Sequence, residues 1–394
     1  MPQKNNSTPS RLPWPLSRMH PLDWLLLAIP VAFALNYSHA SELWIFVASG
    51  VAIVPLAGLM GRATESLAAK LGAGLGGLLN ATFGNAAELI IALVALAQGP
   101  KMYPLVKASI TGSIIGNVLL VLGLALTLGG LRHPYQHFNR TAASMGATLL
   151  TLATVGLMMP TLYYHTFAAS LPLQPAQLAT IESLSEEIAV ILAVVYVLSL
   201  VFSFVTHRQI FESSEAPHAT EKAAAVHAPA WGRGKSLVVL IAATVGVAMM
   251  SELLVDSAEQ AAHVLGMSSV FVGVIVVAIV GNAAEHSTAV LVAMKNQMDL
   301  AVNIAVGSGI QIALFVAPVL VFASLAMGHE HPLDLHFTLM EIVALTISIV
   351  VLALVAQDGE SHWLEGVMLL AVYAILALAF YHLGDIAPPE IHPA

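Results

Sequence analysis

Eleven apolar stretches, each close to the roughly 20 residues a helix needs to cross a bilayer, leave this chain few ways to fold. They lie at about 22–38, 43–62, 80–98, 105–128, 141–160, 186–206, 236–255, 268–293, 302–327, 336–356 and 362–382, the first being short and carrying Pro30. In hydrocarbon every backbone N–H and C=O must be satisfied internally, so these stretches predict an all-α polytopic membrane protein of about eleven transmembrane helices. Composition agrees: 58% apolar residues, 9% charged and a mean hydropathy of +0.84 are far from those of a soluble domain. The lipid bilayer is therefore the first partner. A net charge of −9 argues against nucleic acid, and the absence of cysteine excludes disulfides and thiolate metal sites.

Within two of these stretches stands the same pentapeptide, Gly84-Asn85-Ala86-Ala87-Glu88 and Gly281-Asn282-Ala283-Ala284-Glu285. A carboxylate at membrane depth costs about 2.5–3.5 kcal/mol on insertion scales, so an intramembrane Glu points to function. Asn and Glu at i and i+3 fall on one face of a helix, so each copy offers a carboxylate and an amide carbonyl to the same small volume. Gly84 and Gly281 let another backbone come close. An oxygen-only set suits Ca2+ or Mg2+ rather than zinc or copper, and Ca2+ is favoured because Mg2+ usually keeps its waters. The plainer reading is that Asn and Glu merely bond helix to helix; duplication of a costly carboxylate favours transport.

Leaving aside the first stretch, spans two to six mirror seven to eleven. Each set has a first helix with a hydroxyl-Glu pair (Thr64-Glu65, then Ser251-Glu252), a second with the pentapeptide, and a third with Gly-Ser and a carboxamide (Gly112-Ser113 with Asn117, then Gly307-Ser308 with Gln311). Five spans per set is odd, so the halves enter the membrane in opposite directions, as inverted repeats do in many secondary transporters. With the N-terminus cytoplasmic, every Lys and Arg except Lys101 and Lys107 falls inside, as the positive-inside rule requires. The expected division is a cytoplasmic tail at 1–21, an extra helix at 22–38, a first five-helix repeat at 43–206, a cytoplasmic linker at 207–235, a second repeat at 236–382 and a tail at 383–394. The antiparallel pentapeptide helices then bring Glu88 and Glu285 face to face. Two such carboxylates cannot both stay ionised without a counter-ion, so they take either a divalent cation or protons, and that exclusivity is exchange. Their titration is coupled and belongs to the pair.

Other polar clusters have simpler explanations. In the linker, Glu212, Glu215 and Glu221 with His218 suggest a regulatory cation site, but three Glu over ten residues is ordinary surface charge and a solvated linker is the favoured reading. Ser183 and Glu186 fit a capping box at the start of the sixth span.

The segments GNAAELIIALVAL at 84–96, GNAAEHSTAVLVA at 281–293, GSIIGNVLLVLG at 112–123 and GSGIQIALFVAPVLV at 307–321 resemble the calcium/cation antiporter superfamily, in its cation/proton exchanger branch. The resemblance runs from about residue 40 to the end. It implies ten core helices in two inverted repeats, usually with an extra N-terminal span, and Ca2+ extrusion driven by inward proton movement. By the same resemblance Glu88 and Glu285 carry Ca2+ and H+ in turn, and Asn85 and Asn282 supply carbonyl ligands. Ser113, Asn117, Ser308 and Gln311 line the neighbouring polar wall, and the helices bearing Thr64-Glu65 and Ser251-Glu252 form the gating pair along the access paths. His286 stands beside Glu285 as a candidate proton relay, although adjacent helical residues point about 100 degrees apart. The linker is less acidic and richer in His than that of many relatives.

The chain is thus expected to be a Ca2+/H+ antiporter, open to other divalent cations, with no catalytic activity and no cofactor beyond the transported Ca2+ and H+. A bacterial inner (plasma) membrane is the expected location, with self-association into a homo-oligomer left open. A Na+-coupled Ca2+ exchanger is the main alternative, but Ala-Ala between Asn and Glu leaves few fixed oxygens for Na+. A passive cation channel needs only a ring of Glu, which the inverted repeat does not favour. An intramembrane metalloenzyme would need His or Cys ligands at depth, and nearly all sixteen His lie in loops or span ends.

Overall fold

The computed structural model describes residues 21–71, 73–167, 175–211 and 231–383. After a 3-10 turn at Pro21–Leu27 come α1 (Ala28–Tyr37), α2 (Glu42–Leu71), α3 (Ala73–Phe83), α4 (Ala86–Ala97), α5 (Pro100–Gly130), α6 (Arg140–Phe167), α7 (Ala176–Thr206) and the single turn α8 (Arg208–Phe211). The second half holds α9 (Arg233–Leu265), α10 (Ser269–Gly281), α11 (Ala283–Ala293), α12 (Met298–Ala326), α13 (Leu339–Val355) and α14 (Trp363–His382). The expected linker residues Glu212, Glu215, His218 and Glu221 lie outside the described residues, as do the tails at 1–20 and 384–394.

The all-helical membrane fold is borne out. Among the described residues seven helices are long and apolar enough to cross a membrane, and nine if the bent pairs α3/α4 and α10/α11 each count once. Two shorter apolar helices, Leu22–Tyr37 and Leu339–Val355, fall at the other two predicted stretches. Several helices outrun their apolar cores, α2 by continuing through Arg62 and Lys70 and α9 by reaching 33 residues. Hydrogen bonding carries a helix past the hydrocarbon edge wherever its flanks are good helix formers. For the same reason Ser183 and Glu186 sit inside α7 rather than at its start, so the capping-box reading is corrected. The outward face of α7 carries Val190, Ile191, Val194, Val197 and Leu198, all exposed, as a lipid-facing helix should be.

Two clasps hold the helices around the pentapeptides. On one side, the extended segment at 331–337 is pinned by side chains from four helices. Leu333, Leu335 and Phe337 donate their backbone N–H to Ser324, Ser185 and Thr161, at 2.8, 3.0 and 2.9 Å. Tyr103 donates to the carbonyl of His331, and Lys107 to that of His336 and to Asp334. The alternating side chains Leu333, Leu335 and Phe337 are fully buried, the period expected of an extended backbone. On the other side, β1 (Gln136–His137) pairs antiparallel with β2 (Glu360–Ser361). Gln136 also donates to the carbonyl of Ala293 at 3.0 Å. Outside this core lies the pair α2 and α9, packed along one another. Ser236 donates to Ser66 at 2.9 Å, Ser66 and Lys70 both donate to the carbonyl of Trp231, and Arg62 pairs with Asp23 ahead of α1.

Candidate cation site at two broken helices

Neither pentapeptide lies on a continuous helix. The chain bends by 44° between α3 and α4 and by 59° between α10 and α11, and Asn85 and Asn282 become the N-caps of the second halves. The shared helical face expected of Asn and Glu at i and i+3 is therefore corrected: Asn leaves the helix and Glu opens it. The signal was present, since Gly followed by Asn disfavours a helix interior and Asn favours a cap. Breaking the helix has an electrostatic effect. The carbonyl ends of α3 and α10 carry partial negative charge, which suits a cation, while the first turns of α4 and α11, holding Glu88 and Glu285, favour the ionised carboxylate.

Neither Asn side chain caps its own helix, because each is engaged by the third helix of the opposite half. Asn85 donates to Oε1 of Gln311 at 2.6 Å and accepts from Ser308 at 2.6 Å, both on α12. Asn282 donates to Ser113 at 3.0 Å and accepts from Asn117 at 2.8 Å, both on α5. Asn117 also donates to Ser308 at 2.8 Å, closing one continuous chain of side chains between the halves. The structure thus brings Asn85, Asn282, Ser113, Asn117, Ser308 and Gln311 together. Each motif carbonyl oxygen accepts one hydrogen bond here and keeps a second lone pair, so both remain able to ligate a cation.

Glu88 is 8% exposed, and both of its carboxylate oxygens are buried without a hydrogen-bond partner. Its side chain lies against the other motif: a Cβ added at Gly281 would stand 3.1 Å from its Cγ. The motif glycine therefore makes room for the opposite carboxylate, and Gly84 likewise faces Gln311, whose Oε1 would lie 3.2 Å from an added Cβ. Glu88 and Glu285 are close enough to interact electrostatically, and Glu65 is close enough to Glu285 to do the same. Glu285 is only partly buried.

This difference between the carboxylates follows from an asymmetry in packing. Half-helix α10 lies tightly on α5, so close that a Cβ at Gly112 would fall on the backbone of Val274. The corresponding half-helix α3 packs instead on α2 and the end of α7, without a comparable contact with α12 among the described residues. Gly307 accordingly faces open space, with nothing among the described residues within 4 Å of an added Cβ, and Asn303, one turn away on the same face, is exposed.

The remaining sequence-predicted residues divide. Thr64 is buried with its hydroxyl unpartnered, and His286 is partly buried with Nε2 unpartnered. Ser251 donates its hydroxyl to the carbonyl of Val247 at 2.7 Å. Glu252 is exposed in a groove with Val94, Ala97, Gln98 and Met249, at the end of α4 remote from Glu88. Sequence reasoning missed the contact of Gly112 with Val274 and a hydrogen bond from Gln98 to Asp256 at 2.5 Å; no local pattern marks either.

Comparison with known proteins places this geometry in context. The profile of the sodium/calcium exchanger protein family matches residues 41–205 and 235–382. A Ca2+/H+ antiporter of Synechocystis sp. is 45% identical over 366 residues, covering 91% of this chain and 96% of that one. The Ca2+/H+ antiporter ChaA of Bacillus subtilis is 42% identical over 366 residues, covering 92% and 99%. The solved structure of native YfkE superposes with a TM-score of 0.76 at 38% identity, over 92% of this chain and 99% of that one. That of the H+/Ca2+ exchanger CAX, at 15% identity and a TM-score of 0.62 over 91% of this chain and 90% of that one, shares the fold. The resemblance read from the four motif segments is borne out: the chain belongs to the sodium/calcium exchanger protein family.

Proposed function

We propose that the chain is a secondary antiporter that exports Ca2+ in exchange for protons, with Glu88 and Glu285 binding the two in turn by alternating access. The observation that carries this reading is the buried, unpartnered carboxylate of Glu88 set against the motif glycine of the other half. A buried charge without a partner is costly. It is relieved either by a divalent cation shared with Glu285 or by a proton, and one occupant displaces the other. The antiporter relatives support Ca2+ and H+ as the pair. Other divalent cations would fit the same oxygens. Transport needs no catalytic residue and no resident cofactor.

On this reading Asn85 and Asn282 add carbonyl oxygens, the amide and hydroxyl chain from Ser113 to Gln311 holds them, and Thr64-Glu65 and Ser251-Glu252 belong to the gating pair. His286, beside Glu285, is available to pass protons. The two halves, 43–206 and 236–382, act as inverted five-helix repeats joined by the cytoplasmic linker at 207–235, with 22–38 as an extra span. That arrangement gives eleven crossings and a cytoplasmic N-terminus in a bacterial inner membrane. With the N-terminus cytoplasmic, the open space at Gly307 falls on the inner half of α12 and the packed contact at Gly112 on the outer half of α5, so this conformer opens to the cytoplasm.

The test is Ca2+ flux into proteoliposomes under an imposed pH gradient, with and without Na+. Flux is expected to follow the pH gradient and ignore Na+. A requirement for a Na+ gradient would instead assign the Na+-coupled reaction, and flux without any coupling would make the protein a channel. Asn85→Ala and Asn282→Ala are each expected to weaken apparent Ca2+ affinity by roughly tenfold or more through loss of one carbonyl ligand and its supporting bonds. Unchanged affinity in both variants would remove the carbonyls from the ligand set.

A further inference from the structure

The proposed reaction requires the outer side to open, and on that side a side-chain hydrogen bond joins α4 to α9. Gln98, the C-cap residue of α4, donates through Nε2 to Oδ1 of Asp256 on α9 at 2.5 Å. The same α4 carries Glu88 in its first turn, so the bond ties the far end of the carboxylate-bearing helix to the gating pair. Next to it lies the groove lined by Val94, Ala97, Gln98, Ala248, Met249 and Glu252. Farther in along α4 comes Ile91, buried at 2% exposure and turned about 60° from Val94, and then Glu88 a further three residues on. From Val94 to Glu88 is six residues, about 9 Å at the rise of an α-helix. The groove is therefore an outer vestibule that reaches as far in as Val94 on α4, one turn short of Ile91.

We propose that the Gln98–Asp256 hydrogen bond is the outer latch of the transport cycle, holding α9 against α4 while the opposite side is open at Gly307. The inference rests on the antiporter reading for its purpose. Its physical basis is the position of the bond: α9 cannot move along α4 or away from it without parting Gln98 from Asp256. Both residues are exposed, so water replaces the bond when it opens and the latch is weak enough to cycle. Gln98 and Asp256 are positioning residues; neither touches the cation.

The chain contains no cysteine, so single-cysteine reporters need no prior substitution. Ile91→Cys reports the outer path and Asn303→Cys the inner one, each modified by a membrane-impermeant thiol reagent from its own side of the full-length protein in liposomes. Gln98→Ala and Asp256→Ala are each expected to raise outer modification of Ile91→Cys about threefold to tenfold, the range given by losing one net hydrogen bond, and to lower inner modification of Asn303→Cys. Asp256→Asn, which keeps an acceptor oxygen, is expected to restore both rates. A variant that had merely loosened would raise both reporters together. Unchanged rates in both alanine variants, or a parallel rise at the two sites, would overturn the latch. Labelling needs no ion gradient: a failed latch leaves the pH-driven flux result standing, and a failed flux result leaves the labelling interpretable.

Discussion

Glu88→Gln and Glu285→Gln are each expected to reduce exchange to background while the protein still folds and inserts. Gln keeps the length and shape of Glu but can neither bind and release a proton nor supply a formal charge to a divalent cation. In Glu88 both carboxylate oxygens lack a hydrogen-bond partner, so no described bond is broken by the change, and the burial cost of the charged form disappears. Thermal unfolding in detergent should therefore show Glu88→Gln at least as stable as the parent. Exchange near the parental rate in either variant would remove the paired carboxylates from the mechanism. A fall in activity that merely tracked a fall in stability would assign Glu88 a structural role instead.

The second large effect concerns two equivalent glycines with opposite surroundings. At Gly112 an added methyl would fall on the backbone of Val274, and Gly273 in turn packs on Ala108, so α5 and α10 cross at the closest approach that small residues permit. Gly112→Ala is expected to destabilise the protein by about 1–3 kcal/mol, as overpacking does, and to slow exchange with it. At Gly307 the same methyl meets nothing within 4 Å, and Ala is the better helix former by roughly 0.5–1 kcal/mol. Gly307→Ala should therefore fold as well as the parent or better. If the halves exchange roles during transport, α3 must close on α12 as α10 now closes on α5, and Gly307→Ala will then obstruct the alternate state. Full stability with slowed exchange is the expected signature. Full stability with an unchanged rate would show that α3 does not close there.

How much of this was legible in the sequence depends on the range of the interaction. Hydropathy located the spans because each is a local property of about 20 residues, and the duplicated pentapeptide marked Asn85, Glu88, Asn282 and Glu285 without any knowledge of the fold. The third-helix residues Ser113, Asn117, Ser308 and Gln311 were also readable as a set, since a hydroxyl and a carboxamide recur at matching places. What was not legible was who holds whom. That Asn85 is bound by α12 and Asn282 by α5 is an exchange between halves more than 150 residues apart. The break at each Asn was misread as a helical face because its amide is satisfied across the bundle rather than at its own cap. The difference between Gly112 and Gly307 belongs to one conformer of a symmetric plan, which a repeat in sequence cannot distinguish. Nor did the matching hydroxyl-Glu pairs show that the Ser251 hydroxyl bonds its own helix while that of Thr64 is left unpartnered.

The claim that the same two carboxylates hold either Ca2+ or protons is tested most directly by proton release on Ca2+ binding to the purified protein in weakly buffered detergent solution. The account predicts that Ca2+ addition releases protons from the parent, that the apparent affinity for Ca2+ falls as the pH is lowered, and that both effects vanish in Glu88→Gln and Glu285→Gln. Calcium binding without proton release, or release that survives in both variants, would contradict it.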